Sequence, residues 1–375
     1  MKIVIAPDSF KGSLSAMDVC NILEKACLSH FENAEVIKVP IADGGEGTLD
    51  AILQNLSLET VPLTVTAPDF DMQPAIYGVK GDTAYIEMAR TSGLTMSKIK
   101  KARETTSQGF GEAILHALRR GAKTLYLAIG GSATNDGGMG MLSALGVKFL
   151  DKDGNVLPGK GESLEKIYTV DTAGLCEELK DTKCYIICDV ENPLLGEKGA
   201  TRVYGRQKGA TDADLDFLEK GMENYAEKAE KAIGRQFSSL PGAGAAGGVG
   251  AALLGFLNAK FCPGIDTVLD IIGFDKIVEN ADLVITGEGK MDGQSAYGKA
   301  PVGVAKRCGA PVVAMVGGIG EGYEAVYETG ISTVFSVFSN AMPLEKAILD
   351  AKPMMADAAD RMLRTVKVGM KIKEN

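Results

Sequence analysis

The sequence predicts an α/β protein in which a discontinuous, doubly wound parallel sheet carries a second, inserted α/β domain. Apolar runs typical of buried strands alternate with amphipathic helices near both ends of the chain. From about Leu63, apolar and polar residues instead alternate as in an antiparallel ribbon. A chain of 375 residues also exceeds the usual size of one core. We predict one domain over 1–62 and 263–375, an inserted domain over 63–262, and an active site in the cleft between them.

The amino-terminal segment shows the βα rhythm most clearly. Lys2–Ala6 predicts a first strand, and a helix over 17–29 follows, with Ser13 or Ser15 as its cap. A second strand at Glu35–Val39 precedes a second helix. This order is typical of Rossmann- or flavodoxin-like sheets, in which ligands gather beyond the carboxyl ends of the strands. The loops PDSFKGS and IADGGEGT after these strands are therefore candidate binding loops.

A glycine-rich segment, GGSATNDGGMG at 130–140, follows a third apolar run and precedes a short predicted helix closed by Gly146. Glycines let a backbone approach a ligand closely, and N–H groups at a helix start can bind an anion. The hydroxyls of Ser132 and Thr134 add donors, and Asn135 and Asp136 could hold a metal or a substrate hydroxyl. A strand-to-helix turn with an N-cap is the structural alternative.

Two more segments of the inserted region are candidate binding loops. The predicted strand Cys184–Cys188 ends in the polar loop DVENP. Further on, Gly242, Gly244 and Gly247 match the spacing GxGxxG, although no convincing strand precedes them, and tight helix packing would also explain them. Predicted strands at 283–286, 312–316 and 333–337 then restore the βα rhythm.

Composition excludes several classes of function. The net charge is -9 with no basic stripe, which argues against a nucleic-acid partner. The two histidines are too few for a histidine-based metal centre, and the seven cysteines show no CxxC spacing. No apolar run approaches a membrane span, and the apolar start is too short for a signal peptide. We expect a cytoplasmic protein without a membrane partner, as a monomer or homodimer.

Seven segments, in order along the chain, strongly resemble type I glycerate kinases. They are APDSFKGSLSA at 6–16, IADGGEGT at 41–48, GGSATNDGGMG at 130–140, CDVENPLLG at 188–196, GAGAAGGVGAAL at 242–253, PGID at 263–266 and TGEGKMDGQSAYGKAP at 286–301. The resemblance implies ATP-dependent phosphorylation of D-glycerate, usually to 2-phosphoglycerate in bacterial members, with Mg²⁺ as the metal. The chain departs from the family where Lys290 replaces a frequent Arg, DVENP replaces DVDNP, and YGRQKG replaces FGPQKG at 204–209.

Phosphoryl transfer needs positioning, charge neutralisation and a base for the attacking hydroxyl. We predict Asp189 as the base and Asp43 as second choice, because each lies in a polar loop just after an apolar strand. Asp189, Asp43 and Glu191 are also the predicted metal ligands. The candidate cations for the phosphates or the glycerate carboxylate are Lys11, Lys290 and Arg90, with surface salt bridges as the alternative role.

The remaining predicted site residues fall into two groups. Ser9, Glu288 and Asp292 are expected to bind substrate beside Arg90 and Lys290. Residues expected to bind ATP are Gly130, Gly131, Ser132, Thr134, Asn135, Gly244 and Gly247. The sequence leaves open which glycine-rich loop holds the phosphates, which aspartate is the base, and whether the 2- or 3-hydroxyl is phosphorylated.

Two other functions fit the sequence less well than glycerate phosphorylation. A dinucleotide-dependent oxidoreductase would need GxGxxG after the first strand, where the chain instead has PDSFKGS. A non-catalytic sensor of hydroxy acids would suit two clamp-like domains. Such a sensor would not need so many carboxylates and cations at loop ends.

Overall fold

The structure is a computed structural model that describes residues 1–338, 340 and 342–374. Its strands are β1 (Lys2–Pro7), β2 (Glu35–Lys38), β3 (Glu59–Thr66), β4 (Met72–Lys80), β5 (Thr83–Glu87), β6 (Thr124–Ala128), β7 (Lys148–Leu150), β8 (Thr169–Asp171), β9 (Lys183–Ile187), β10 (Lys260–Cys262), β11 (Leu283–Met291), β12 (Val312–Ile319) and β13 (Ile331–Ser336). Its α-helices are α1 (Ala16–His30), α2 (Thr48–Asn55), α3 (Ala89–Ser92), α4 (Gln108–Arg119), α5 (Met139–Ala144), α6 (Ala200–Tyr204), α7 (Asp212–Ile233), α8 (Val249–Phe256), α9 (Gly264–Ile272), α10 (Phe274–Val278), α11 (Ala300–Lys306), α12 (Leu344–Leu349) and α13 (Ala351–Glu374). None of the helices in these ranges is long and apolar enough to cross a membrane.

The chain forms two compact units. Unit 1 comprises Met1–Asp43, Asp50–Leu56 and the chain from Ile265 onward, and unit 2 comprises Gly44–Leu49 and Ser57–Gly264. The predicted boundaries at 62 and 263 stay a prediction. Unit 2 takes in β3 because that strand pairs with β4 along its whole length.

Unit 1 is built on a five-stranded parallel sheet in the order β2-β1-β11-β12-β13. Counted within the unit, this order is 2-1-3-4-5, as in flavodoxin-like folds. Helices cover both faces: buried residues of α1 and α13, such as Leu23 and Met362, pack on one face, and those of α9 and α11, such as Leu269 and Val304, on the other. The predicted doubly wound sheet is confirmed. Its order reverses between β1 and β11, where such sheets bind ligands.

The strand β11 is longer than the sequence predicted. It continues beyond Thr286 to Met291, and β12 likewise continues through Gly317 and Gly318. The predicted strands end at Thr286 and Val316, just before these glycines. A Cβ atom on Gly287 would lie 2.2 Å from the carbonyl oxygen of Met315, so here glycine permits close approach of neighbouring strands. Glu288 therefore lies on a strand and not in a loop.

Unit 2 contains a six-stranded mixed sheet in the order β10-β9-β6-β5-β4-β3. The strands β3, β4 and β5 are antiparallel, as the alternating sequence predicted, and β5, β6, β9 and β10 are parallel. Tyr85, Tyr126 and Tyr185 lie in register on three neighbouring strands, with ring centroids 5.5 and 5.2 Å apart. We call these three residues the tyrosine ladder.

Candidate active site

Asp8 follows β1 at the switch point of unit 1. Its side chain is buried, and its Oδ1 accepts a hydrogen bond from the Ser9 N–H at 2.6 Å. Burial, followed by the charge of Asp43, raises the pKa of Asp8 to about 7, with a smaller contribution from Glu288. The Ser9 N–H and the charge of Lys11 oppose this rise. Asp8 can therefore exchange a proton near neutral pH, which the sequence did not suggest.

Glu288 is the second buried carboxylate of unit 1. Burial raises its pKa, whereas a hydrogen bond from Ser295 and the charge of Lys299 lower it. Its Oε1 has no hydrogen-bond partner among the described residues, and Lys299 Nζ lies 4.0 Å from its Oε2. A buried acceptor without a partner costs free energy, so this oxygen is a candidate acceptor for a ligand or cation. We call Asp8, Asp43 and Glu288 the acidic group.

Lys290 and Asp292 form an ion pair with each other, with Nζ and Oδ2 3.2 Å apart. The Lys290 side chain is 68% exposed, so the pair contributes little to stability. Asp292 also caps the short 3₁₀-helix at Gly293–Tyr297 and accepts a hydrogen bond from the Gln294 N–H at 3.1 Å. These contacts fit the structural role that we weighed for Lys290, and both residues stay candidates for substrate binding.

In unit 2 the glycines after β6 meet the Gly44–Gly47 loop. The N–H of Gly130 donates to the carbonyl oxygen of Gly44 at 3.1 Å. A Cβ atom on Gly130 would lie 2.6 Å from the Cα of Gly45, so only glycine fits there. The two loops GGEG and GGSA, which are far apart in sequence, are thus adjacent at the carboxyl end of β6.

The other side of this segment contacts the residues after β5. The N–H of Leu94 donates to the Gly131 carbonyl at 2.9 Å, and the N–H of Ala133 donates to the Ser92 carbonyl at 2.9 Å. These bonds hold Gly131 and Ser132 against α3, the helix that contains Arg90. Gly131 is exposed, so a ligand can reach its backbone.

Glu87 is a buried carboxylate at the end of β5 that the sequence analysis missed. Its oxygens accept hydrogen bonds from the N–H groups of Gly47 at 3.2 Å and Leu49 at 2.8 Å. The Nε of Arg90 lies 4.0 Å from Oε2 of Glu87, and the Arg90 side chain is partly exposed. Glu87 therefore fixes the Gly44–Gly47 loop and orients Arg90. Glu87 is the last residue of an apolar strand, and Asp8 directly follows one. This position at a strand end is the signal that could have identified Glu87 from the sequence.

Lys208 is the second buried charged residue that was missed. Its Nζ donates to the Oγ of Ser132 at 2.9 Å and to the carbonyl oxygen of Thr134 at 2.7 Å. Burial lowers the pKa of Lys208 to about 7, and the charge of Asp136 opposes this. The residue lies within the segment YGRQKG at 204–209. The sequence analysis named this segment but did not predict a site residue in it.

Thr134, Asn135 and Asp136 are all buried. The amide of Asn135 donates to Thr201 Oγ1 at 3.1 Å, whereas Thr134 Oγ1 and Asn135 Oδ1 have no hydrogen-bond partner among the described residues. Asp136 accepts hydrogen bonds from the N–H groups of Ser107, Gly138 and Gly140 and from the Ser107 hydroxyl. Burial raises the pKa of Asp136, and these bonds oppose the rise. Asp136 thus joins the starts of α4 and α5.

Packing accounts for glycine at both 244 and 247. A Cβ atom on Gly244 would lie 2.2 Å from the carbonyl oxygen of Pro193, and one on Gly247 would lie 2.0 Å from that of Thr134. Gly247 also has a φ of +68°, which disfavours other residues. Cofactor binding by these two glycines stays a prediction.

Asp189 and Glu191 follow β9 and are exposed. Oδ1 of Asp189 accepts a hydrogen bond from the Gly264 N–H at 2.6 Å.

The predicted site residues are divided between the two units. Unit 1 contains Ser9, Lys11, Asp43, Glu288, Lys290 and Asp292. Unit 2 contains Arg90, Gly130, Gly131, Ser132, Thr134, Asn135, Asp189, Glu191, Gly244 and Gly247.

Comparison with known proteins identifies the family. The sequence pattern of the glycerate kinase family matches residues 3–367. The chain belongs to the glycerate kinase family. The resemblance of the seven segments is thereby confirmed, and so is the prediction of an enzyme of this family.

Relatives of this family match along nearly the full chain. Glycerate kinase from Bacillus subtilis is 44% identical, with 98% of each chain covered. Glycerate 2-kinase from Escherichia coli K12 is 42% identical, with 99% of each chain covered. A crystal structure from Salmonella typhimurium LT2, provisionally described as glycerate kinase 2, superposes with a TM-score of 0.83 at 40% identity, covering 99% of each chain.

Proposed function

We propose that this enzyme transfers the γ-phosphoryl group of ATP to the 2-hydroxyl of D-glycerate and forms 2-phosphoglycerate and ADP. The observation that carries the proposal is the 42% identity to Escherichia coli glycerate 2-kinase over 99% of both chains. Arrangements of residues in each unit support the chemistry. Phosphoryl transfer holds donor and acceptor together, so we propose that residues of both units take part in one reaction.

We propose that the phosphates of ATP bind at Gly130–Ser132. The exposed backbone of Gly131 follows a parallel strand, where anions commonly meet free N–H groups. The hydroxyl of Ser132 lies in the same segment, and Arg90 extends from the adjacent helix. A partly exposed guanidinium with a carboxylate at 4.0 Å is held in place and can still pair with a phosphate oxygen or the glycerate carboxylate.

We propose Asp8 as a proton acceptor, in addition to the predicted candidates Asp189 and Asp43. A general base is most effective when its pKa lies near the working pH. Burial, followed by the charge of Asp43, raises the pKa of Asp8 to about 7. Asp189, the base predicted from sequence, is exposed, and its Oδ1 already accepts a hydrogen bond from the Gly264 N–H. Asp189 and Asp43 stay candidates until their variants are compared.

Two members of the acidic group, Asp43 and Glu288, are the ligands that we propose for Mg²⁺. Among the described residues, no group of three or more His, Cys, Asp or Glu side chains has the arrangement of a metal site. Mg²⁺ in phosphoryl-transfer enzymes commonly takes only one or two carboxylates, together with phosphate oxygens and water. Asp43 and the unpartnered Oε1 of Glu288 would hold the ion. Bound there, Mg²⁺ would neutralise phosphate charge. The predicted ligands Asp189 and Glu191 lie on unit 2 and stay alternatives.

Product analysis tests the proposed reaction. Purified protein is incubated with ATP, Mg²⁺ and D-glycerate, and the products are followed by ³¹P NMR, which distinguishes 2- from 3-phosphoglycerate. We expect equal amounts of ADP and 2-phosphoglycerate, with L-glycerate as the control substrate. A 3-phosphoglycerate product would overturn the site of transfer. ATP hydrolysis without phosphoglycerate, or no turnover, would overturn the activity.

We further propose that the enzyme works in the cytoplasm, where ATP is available, as a monomer or homodimer. Multi-angle light scattering of the purified protein measures the mass directly against the 39.4 kDa of one chain. A trimer or larger assembly would contradict this proposal.

A further inference from the structure

We propose that Lys208 is a positioning residue that makes the Ser132 hydroxyl a hydrogen-bond donor toward the phosphates of the bound nucleotide. The inference rests on the proposed role of Gly130–Ser132 in binding ATP. It adds a residue that contacts the binding segment from inside the protein. The support comes from the donors of the ammonium, the burial of the residue and the space kept for it.

The chemistry of an ammonium group sets the direction of the hydrogen bond. The negative charge of a bound phosphate would raise the pKa of Lys208 and so favour its protonated form. Protonated lysine has three N–H donors and no acceptor. Because Nζ of Lys208 lies 2.9 Å from Oγ of Ser132, that oxygen accepts, and its own hydrogen points elsewhere. A serine whose oxygen is occupied in this way presents a donor to a ligand, which is what a phosphate oxygen requires.

Lys208 is buried to a degree that lysine rarely shows. Its exposed fraction is 2%, and burying an ammonium is costly unless it is hydrogen-bonded. Its second bond, to the carbonyl oxygen of Thr134, ties it to the same segment two residues further on. Both bonds thus go to the segment that follows β6, so the cost of burial is offset at the candidate phosphate site.

The surrounding backbone leaves room for this ammonium. A Cβ atom on Gly247 would lie 2.9 Å from Nζ of Lys208, closer than real contacts allow. The carbonyl oxygen of Gly247 also accepts a hydrogen bond from the Gly137 N–H at 3.0 Å. Glycine at 247 therefore leaves space for the ammonium group and permits the close approach of the two loops.

A double-mutant cycle tests the proposal. Lys208→Met, Ser132→Ala and the double variant are compared with wild type by calorimetric titration with ATP and by steady-state kinetics. We expect each single variant to weaken ATP binding about 10- to 100-fold, as for loss of a hydrogen bond to a charged group. The double variant should bind ATP within about twofold of Ser132→Ala, because Lys208 acts through the serine. The KM for D-glycerate should not change.

Other outcomes would overturn the proposal. A merely structural lysine would lower the melting temperature and leave ATP affinity unchanged, or its effect would add to that of Ser132→Ala. If Lys208→Met does not fold, Lys208→Gln is measured in its place. It retains a donor without the charge and should lose less ATP affinity than Ser132→Ala; an affinity equal to that of wild type counts against a role of the charge and so against the proposal. Titration with ATP keeps this test separate from the proposed reaction. Wild type that binds ATP but does not phosphorylate D-glycerate would disprove the reaction alone, and wild type that does not bind ATP would disprove both.

Discussion

The buried carboxylate of Glu87 accepts a hydrogen bond from the backbone N–H of Leu49 at 2.8 Å and so caps the start of α2. The first N–H groups of a helix have no partner within it, and a negative charge there interacts favourably with the helix dipole. The same carboxylate accepts the Gly47 N–H. One side chain from β5 thus holds both ends of the segment from Gly47 to Leu49, which includes the end of a candidate binding loop.

Replacing Glu87 by Ala should lower the free energy of unfolding by about 1–3 kcal/mol, because the buried N–H of Leu49 and the partly buried N–H of Gly47 lose their acceptor. Urea unfolding followed by circular dichroism measures this. Glu59→Ala is the matched control, since Glu59 is exposed and pairs with Arg120 at the surface. The control should cost no more than about 1 kcal/mol. Equal losses for the two variants would contradict the capping role.

Gly247→Ala should destabilise the protein more than Gly234→Ala. The φ angles of the two glycines are nearly equal, +68° and +67°, so both variants have the same left-handed strain of about 1–2 kcal/mol. At Gly234 a Cβ atom meets nothing within 4 Å, whereas at Gly247 it meets the Thr134 carbonyl at 2.0 Å. We expect an additional loss of about 1–3 kcal/mol at 247 from overpacking. Urea unfolding of both variants measures the difference, and equal losses would show that the loop moves freely.

Asp8→Asn should stabilise the protein at high pH relative to low pH. The pKa of Asp8 is higher in the folded protein, about 7, than its ordinary value of 3.8. The folded state therefore binds more protons between these values, and its stability falls as the pH rises through this window. Asparagine does not titrate and removes this loss, which is at most about 4 kcal/mol since one pKa unit corresponds to about 1.4 kcal/mol. Unfolding at pH 4 and pH 8 in metal-free buffer measures it. A pH-independent difference between variant and wild type would refute the raised pKa.

The same variant also tests the choice of base. We expect Asp8→Asn to lower kcat by about 10²–10⁴-fold, the usual effect of removing a general base. Its KM for ATP should change little, because Asp8 has no proposed contact with the nucleotide. Asp189→Asn is the direct comparison under identical conditions. A large loss of kcat for Asp189→Asn together with normal turnover by Asp8→Asn would return the role to Asp189, as first predicted from the sequence.

The strands of both sheets were predicted well because the sequence patterns that indicate a strand involve only neighbouring residues. Apolar runs and alternation depend on neighbouring residues, and they predicted both the parallel sheet of unit 1 and the antiparallel ribbon of unit 2. The predicted ends of β11 and β12 were wrong because a glycine can either end a strand or lie inside one. Gly287 lies inside β11 because of its contact with Met315, and no local pattern distinguishes such a glycine from one that ends a strand.

The side chains that build the site were harder to predict. Loops after strands were identified, yet Glu87 and Lys208 were missed, because their importance comes from burial and from partners distant in sequence. Asp8 lies in the loop PDSFKGS, which was a predicted binding loop, but it was not predicted as the base. Its raised pKa depends on Asp43, which joins it only when β1 and β2 lie side by side. Strand-end position is local information, whereas desolvation is a property of the folded chain.

The tyrosine ladder gives this enzyme a built-in optical probe. The chain has no tryptophan, so its near-ultraviolet spectrum comes mainly from ten tyrosines. Stacked phenol rings on adjacent strands couple in circular dichroism, and this coupling disappears when the strands separate. The near-ultraviolet signal should therefore follow the melting of the mixed sheet in particular. A single tryptophan introduced into the parallel-sheet unit would fluoresce without background, so that one heating experiment could record the unfolding of each unit at its own wavelength.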